Sequence, residues 1–241
     1  MSKRYSNKGH QARQAAAAQP QKDNTNKIFT WIILGIALAL VAAIAIPLLL
    51  SIDTMSLGIK KEIDSFEATD FAETQDVTNF VKITVKDYGD IVVRLRPDIA
   101  PISVENFQKL VKEGHYSDKI FHRVISGFMI QGGGVDTAGK KHEVDSIKGE
   151  FSSNGVKNDL KHLRGVISMA RTNAPDSASN QFYICHADSP HLNGEYAAFG
   201  YVLAGMDVVD AIAAVKTSGG NENKPLTDVV IEKVVFVDPL K

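Results

Sequence analysis

One segment of the chain combines residue types that can do chemistry: Phe121-His122-Arg123-Val124-Ile125-Ser126-Gly127-Phe128-Met129-Ile130-Gln131-Gly132-Gly133. An arginine sits among apolar, strand-type residues, with a glutamine and glycines soon after. If residues 121–125 form a strand, His122 and Arg123 point to opposite faces. A permanently charged guanidinium beside Phe128 and Met129 must be paired or must serve a site. The alternative is an edge-strand arginine that snorkels to water, and spacing alone leaves both readings open. Other candidates carry less. His186 and His191 belong to no ligand constellation, so no metal is expected. Gly132–Gly134 is glycine-rich but lacks the lysine and the strand–helix context of a phosphate loop. Cys185, the only cysteine, ends an apolar run and reads as a buried small hydrophobe. It also excludes an internal disulfide framework and a cysteine-rich zinc site. Asn193-Gly194 reads as a turn.

The elements that must hold these residues begin at about Phe80. Val81, Ile83 and Val85 alternate with Lys82 and Thr84, the pattern of a half-buried strand. Tyr88-Gly89-Asp90 supplies turn chemistry, and Ile91–Leu95 a second strand. Pro101–Glu113 reads as a helix, with proline in the first turn, Val104, Phe107, Leu110 and Val111 on one face, and Gly114 as the stop. Strand-like runs follow at 120–125, 128–131, 166–170, 181–186, 197–203 and 229–237. Residues 207–215 read as a second helix with Asp207 as its cap. About eight short strands and two helices without βαβ alternation predict a mainly β fold, an antiparallel barrel or sandwich.

The 241 residues are 44% hydrophobic and 23% charged, enough to bury a core, and the net charge of −1 gives no reason to expect nucleic acid. The near-neutral total hides a split. Residues 1–27 carry six basic groups and one acid, leaving 21 basic against 27 acidic groups in the rest. This arm has no apolar period and is expected to be disordered. Residues 28–50 (IFTWIILGIALALVAAIAIPLLL) carry no charge. As a helix they would be roughly 35 Å long, enough to cross a bilayer core of about 30 Å. Trp31 sits near one end, where an indole suits the headgroup boundary. The run is longer than the apolar region of a cleaved signal peptide, so an uncleaved single-pass anchor is expected. The basic flank places the N-terminus in the cytoplasm and the rest outside. Residues 51–79, with seven acids and two lysines, are expected to be a solvated stalk or linker. Ile52, Met55, Ile59, Ile63 and Phe66 nevertheless fall on one helical stripe. The remaining domain is 80–241.

Over about Phe80 to Val237 the chain closely resembles the cyclophilin family of peptidyl-prolyl cis–trans isomerases, and within it the bacterial branch. The resemblance rests on several long motifs in the family's order. They are Tyr88-Gly89-Asp90-Ile91, Ala100–Phe107 (APISVENF), the FHRVISGFMIQGGG run, Arg164–Arg171 (RGVISMAR), Ser179–Ile184 (SNQFYI) and His191–Gly200 (HLNGEYAAFG). It implies a closed eight-stranded antiparallel barrel capped by two helices. It implies Arg123 as the catalytic residue. It implies Phe128, Met129, Tyr183 and Leu192 as the pocket for the proline ring. Gln131, Ala170, Arg171 and Gln181 match positions that bind the substrate backbone or orient the arginine, and His122, His191 and Tyr196 complete the expected binding set. No cofactor is implied. The sequence departs from the animal-type pattern at His191 (tryptophan there), Tyr183 (phenylalanine), Arg171 (asparagine) and Tyr196 (histidine). The resemblance therefore implies only weak cyclosporin binding.

Together these readings describe an isomerase tethered at the outer face of a cytoplasmic membrane, acting on proline-containing unfolded or exported polypeptides. Two rivals remain at this level: a cyclophilin-like module that binds or holds proline peptides without turnover, and a surface protein that assembles through its stalk.

Overall fold

The computed structural model describes residues 54–240. The expected arm (1–27) and membrane-spanning helix (28–50) lie outside the described residues. Among the described residues, no helix is long and apolar enough to cross a membrane.

Residues 54–62 form helix α1, and β1 (Phe71–Glu73) follows. β2 (Phe80–Val85) and β3 (Gly89–Leu95) make the hairpin that the alternation predicts, with Val81, Ile83 and Val85 almost fully buried. Helix α2 (Pro101–Lys112) buries Val104, Phe107, Leu110 and Val111. Its N-terminal residue Ala100 offers no capping side chain. The buried carboxylate of Glu150 caps it instead, accepting from the Ile102 and Ser103 backbone N–H groups at 3.0 and 2.7 Å.

The sheet continues with β4 (Lys119–Ile120), β5 (Arg123–Ile125), β6 (Met129–Gly132), β7 (Val166–Met169), β8 (Phe182–Cys185), β9 (Ala198–Ala204) and β10 (Val230–Pro239). Ten strands pair antiparallel in the order β1-β10-β2-β3-β9-β7-β8-β6-β5, and β4 pairs with β10 outside that path. The expected antiparallel, mainly β architecture is observed. The strand count rises from eight to ten for two reasons. The expected strand 120–125 breaks at Phe121-His122 into β4 and β5, and β1 comes from a segment read as linker.

That segment is the main correction. The described part of 51–79 is docked on the sheet. Ile59 and Phe71 are 4% and 6% exposed and join Val92, Tyr201, Leu203 and Val237 in a second core. Met55 and Ile63 pack against the same cluster. Met55, Ile59 and Ile63 of the stripe thus face the protein, because β3 and β9 present apolar side chains on both faces and the outer one needs a cover, whereas Phe66, beyond the helix, stays exposed. Polar contacts fix the cover. Glu62 pairs with Arg94 at 3.2 Å and accepts a hydrogen bond from the Tyr201 hydroxyl. β1 pairs with β10, Phe71 opposite Pro239.

This docked strap also corrects the cap expected for the second helix. Helix α3 spans Met206–Ala213, with Gly205 at the N-cap and Asp207 inside the first turn. Gly205 has φ 94°, and a Cβ there would lie 2.2 Å from the Asp90 carbonyl oxygen, so neither conformation nor space admits a side chain. With no capping side chain of its own, the helix takes Asp64 from the strap. Asp64 Oδ1 accepts from the Gly205 and Met206 N–H groups, both at 3.1 Å.

Candidate active site

The β5–β6 hairpin places the chemistry. Its register sets Arg123 opposite Gln131, Val124 opposite Ile130 and Ile125 opposite Met129. Period two then sends Val124 and Ile130 into the main core and leaves Arg123 and Gln131 together on the other face. Gly127, at φ 75°, makes the tight turn, and its N–H donates to His186 Nδ1 at 2.8 Å. β8 adds Tyr183 opposite Gln131, and β7 adds Ser168 opposite Tyr183. The short 3-10 turn Pro190–Leu192 brings Leu192 over the end.

These elements enclose a cavity of about 210 Å³ lined by Arg123, Phe128, Met129, Gln131, Ala170, Arg171, Tyr183, Leu192 and Tyr196. Its floor is apolar: Met129, Tyr183, Cys185 and Leu192 form a separate buried cluster against which Phe128, Ala170 and Tyr196 pack. The guanidinium of Arg123 stands at the polar edge. Its polar contact is a long hydrogen bond from Nη1 to Gln131 Oε1 at 3.4 Å. Among the described residues, no carboxylate pairs with it. Gln131 Nε2 in turn donates to Gln181 Oε1 at 3.0 Å. A Cβ at Gly134 would come within 2.5 Å of Gln181 Cγ, so the glycine leaves the room that this glutamine occupies.

Three of the twelve expected residues do not line the cavity. Gln181 stands one step behind, through Gln131. His191 is exposed at the rim, its ring 5.3 Å from that of Phe128. His122 is half-buried behind the strand. Burial lowers its pKa, hydrogen bonds with the Ile120 backbone and the Gln181 side chain oppose this, and its Nδ1 has no partner among the described residues. Arg171 lines the cavity with its donors already engaged. Nε and Nη2 donate to the Glu195 carbonyl at 3.0 and 2.8 Å, and Nη1 to that of Thr172 at 2.8 Å. Its guanidinium lies 4.8 Å from the Phe151 ring and 4.7 Å from the Tyr196 ring. Arg171 therefore braces Tyr196, and Arg123 is the cation whose donors remain open to the cavity.

Neither ionisable side chain of the cavity floor is poised as a nucleophile or base. Burial pushes the Cys185 thiol up to about 12, where no thiolate forms at neutral pH. Burial also raises the Tyr183 phenol well above its ordinary value. Ser168 nearby opposes this, yet the Tyr183 hydroxyl makes no hydrogen bond of ordinary geometry among the described residues. What remains is an apolar cup for a small ring and a directional cationic donor at its lip. Such a site suits a reaction in which no bond is exchanged and a charge distribution shifts.

Sequence reasoning missed the support behind the cup. His162 is 2% exposed, and its ring stacks on that of Tyr183 at 6.1 Å and 19°. Neither periodicity nor a motif marks it among the seven histidines. Asn193, read as a turn residue, accepts the His162 backbone N–H at 2.8 Å.

Comparison with known proteins agrees with this geometry. Residues 80–236 match the family described as cyclophilin type peptidyl-prolyl cis-trans isomerase/CLD. Over 159 residues the chain is 46% identical to peptidyl-prolyl cis-trans isomerase B of Escherichia coli (strain K12), covering 61% of this chain and 94% of that one. It is 46% identical over 155 residues to a peptidyl-prolyl cis-trans isomerase of Streptomyces antibioticus, covering 60% and 90%. Among solved structures, a Cryptosporidium parvum cyclophilin type peptidyl-prolyl cis-trans isomerase, crystallised in the presence of the dipeptide Ala-Pro, superposes with a TM-score of 0.55 at 29% identity. It covers 65% of this chain and 98% of that one.

Proposed function

From the chain's membership of the cyclophilin family of peptidyl-prolyl cis–trans isomerases, we propose that it accelerates X–Pro isomerisation in exported polypeptides while tethered at the outer face of a cytoplasmic membrane. The observation that carries the site reading is Arg123, a guanidinium that pairs with no carboxylate among the described residues, at the lip of a cavity floored by Met129, Tyr183 and Leu192.

Rotation about an X–Pro bond breaks amide resonance, with a barrier near 20 kcal/mol and an uncatalysed timescale of tens of seconds. At the twisted geometry the prolyl nitrogen becomes pyramidal and regains a lone pair. Arg123 can donate to that nitrogen there and not in the planar ground state, which is differential binding. Gln131, itself held by Gln181, aims the guanidinium. Magnitudes divide the labour. A gain of about 10⁵ in rate corresponds to roughly 7 kcal/mol. One charge-assisted hydrogen bond supplies about 1.5–3 kcal/mol. The apolar floor supplies the rest by fixing the ring while the carbonyl end turns, and by excluding the water that stabilises the planar amide dipole.

The tether is read from the uncharged run 28–50 and the basic flank before it. β4 pairs with β10, one strand in from the β1 end of the order, and β5, the strand at the other end, follows β4 after two residues, which supports reading the sheet as closed around its core. A protease-coupled assay on an X–Pro peptide tests the activity, and membrane extraction with protease protection of the full chain tests the tether. Peptide binding without catalysis would replace the foldase reading by a holding module.

A further inference from the structure

Behind the cavity, one residue touches three of its walls. The His162 backbone N–H donates to Asn193 Oδ1 at 2.8 Å, and its carbonyl accepts from the Ser189 N–H at 2.7 Å. These two bonds clasp both ends of the turn that carries His191 and Leu192. Asn193 Oδ1 can only accept, so the ring Nδ1, 3.2 Å away, carries the proton toward it. Nε2 is then left to accept from Ser168 Oγ at 3.1 Å, on the strand that leads into Ala170. The ring face lies on Tyr183, whose own hydroxyl has no hydrogen-bond partner among the described residues. Tyr183 is therefore held by packing, and His162 is the flat surface it packs on.

We propose that His162 is a positioning residue for the isomerase site, setting the Leu192 turn, the end of β7 and the Tyr183 ring in mutual register so that the cavity keeps the width of a prolyl ring. The proposal rests on the isomerase reading of the Arg123 cavity. His162 touches neither the cavity nor Arg123, so its effect must pass through the walls. Substrate binding should respond more than the chemical step.

The test uses the full-length chain in detergent and an X–Pro peptide, with kcat and KM measured separately. His162→Phe keeps a flat ring and deletes both polar ties. Two hydrogen bonds, each worth a factor of about 2–10, predict a KM raised about tenfold with kcat within about twofold. His162→Asn puts an amide where Nδ1 lies and should recover part of the loss. An unchanged KM in folded His162→Phe would overturn the proposal. So would a fall in kcat at constant KM, the mark of fewer folded molecules. If His162→Phe does not fold, Ser168→Ala, which removes one tie, is read by the same criterion at about threefold. Arg123→Ala is run alongside. If it retained the full rate, the reading of the site itself would fail; if it collapses while His162→Phe keeps its KM, only the present inference fails.

Discussion

Burying a neutral histidine beneath the site makes the fold acid-sensitive by an amount that can be worked out. Desolvation lowers the pKa of His162 from 6.5 to about 4, against the opposing hydrogen bond with Asn193. Between these values the unfolded chain holds a proton that the folded chain does not. Stability therefore falls as pH falls through this window, and the contribution is whole only above 6.5. At roughly 1.4 kcal/mol per unit, the full loss is about 3 kcal/mol, most of it gone by pH 4.5. The pKa values of His115 and His122 are also lowered by burial, so they act in the same direction. The informative quantity is thus the difference between wild type and His162→Gln. Urea unfolding of the full chain in detergent, followed by circular dichroism, gives it. Whatever the variant costs at pH 8, its deficit relative to wild type should shrink by about 2–3 kcal/mol at pH 4.5. A difference that stays constant within about 0.5 kcal/mol between the two pH values would refute a neutral, uncompensated His162.

The remaining predictions concern the cup and the strap. Phe128→Ala should lower kcat as well as raise KM, because the floor contributes to the barrier; an unchanged kcat would show that Arg123 acts without it. Phe71→Ala should destabilise the fold by about 3–5 kcal/mol in urea unfolding, since its ring is buried in the second core. A protein of residues 80–241 should lose stability for the same reason. Asp64→Ala should cost about 1 kcal/mol through the lost cap of α3, and no change would show that the cap is dispensable. In an inhibition titration, cyclosporin should act weakly on the natural chain and more strongly on His191→Trp; animal-like potency in the natural chain would contradict the role given to the rim.

The sheet and the α2 helix were legible because their signals are local. Alternation at Val81, Ile83 and Val85, and the 3–4 spacing from Val104 to Val111, survive into the structure as buried faces. The strap was not legible as docked. Ile59 and Phe71 look like sparse apolar residues in an acidic stretch, and only the apolar outer face of β3 and β9 gives them a partner. The cap read at Asp207 failed for a related reason, and none was read for α2: Glu150 and Asp64 reach their helices from distant parts of the chain, which no local capping pattern records. At the site, nine of the residues that the resemblance named line one cavity. The resemblance could not show that the donors of Arg171 are engaged by Glu195 and Thr172. Nor could it mark His162, whose role depends on three contacts separated in sequence.

The central claim is that Arg123 donates to the twisted prolyl amide from the lip of this cavity. The most direct measurement is the isomerisation rate of an X–Pro peptide with the full chain and with Arg123→Ala, at matched folded concentration. The account predicts strong catalysis by the natural chain and a loss of at least about tenfold to a hundredfold in kcat/KM in the variant, the value of one charge-assisted hydrogen bond. Catalysis undiminished in Arg123→Ala would contradict it.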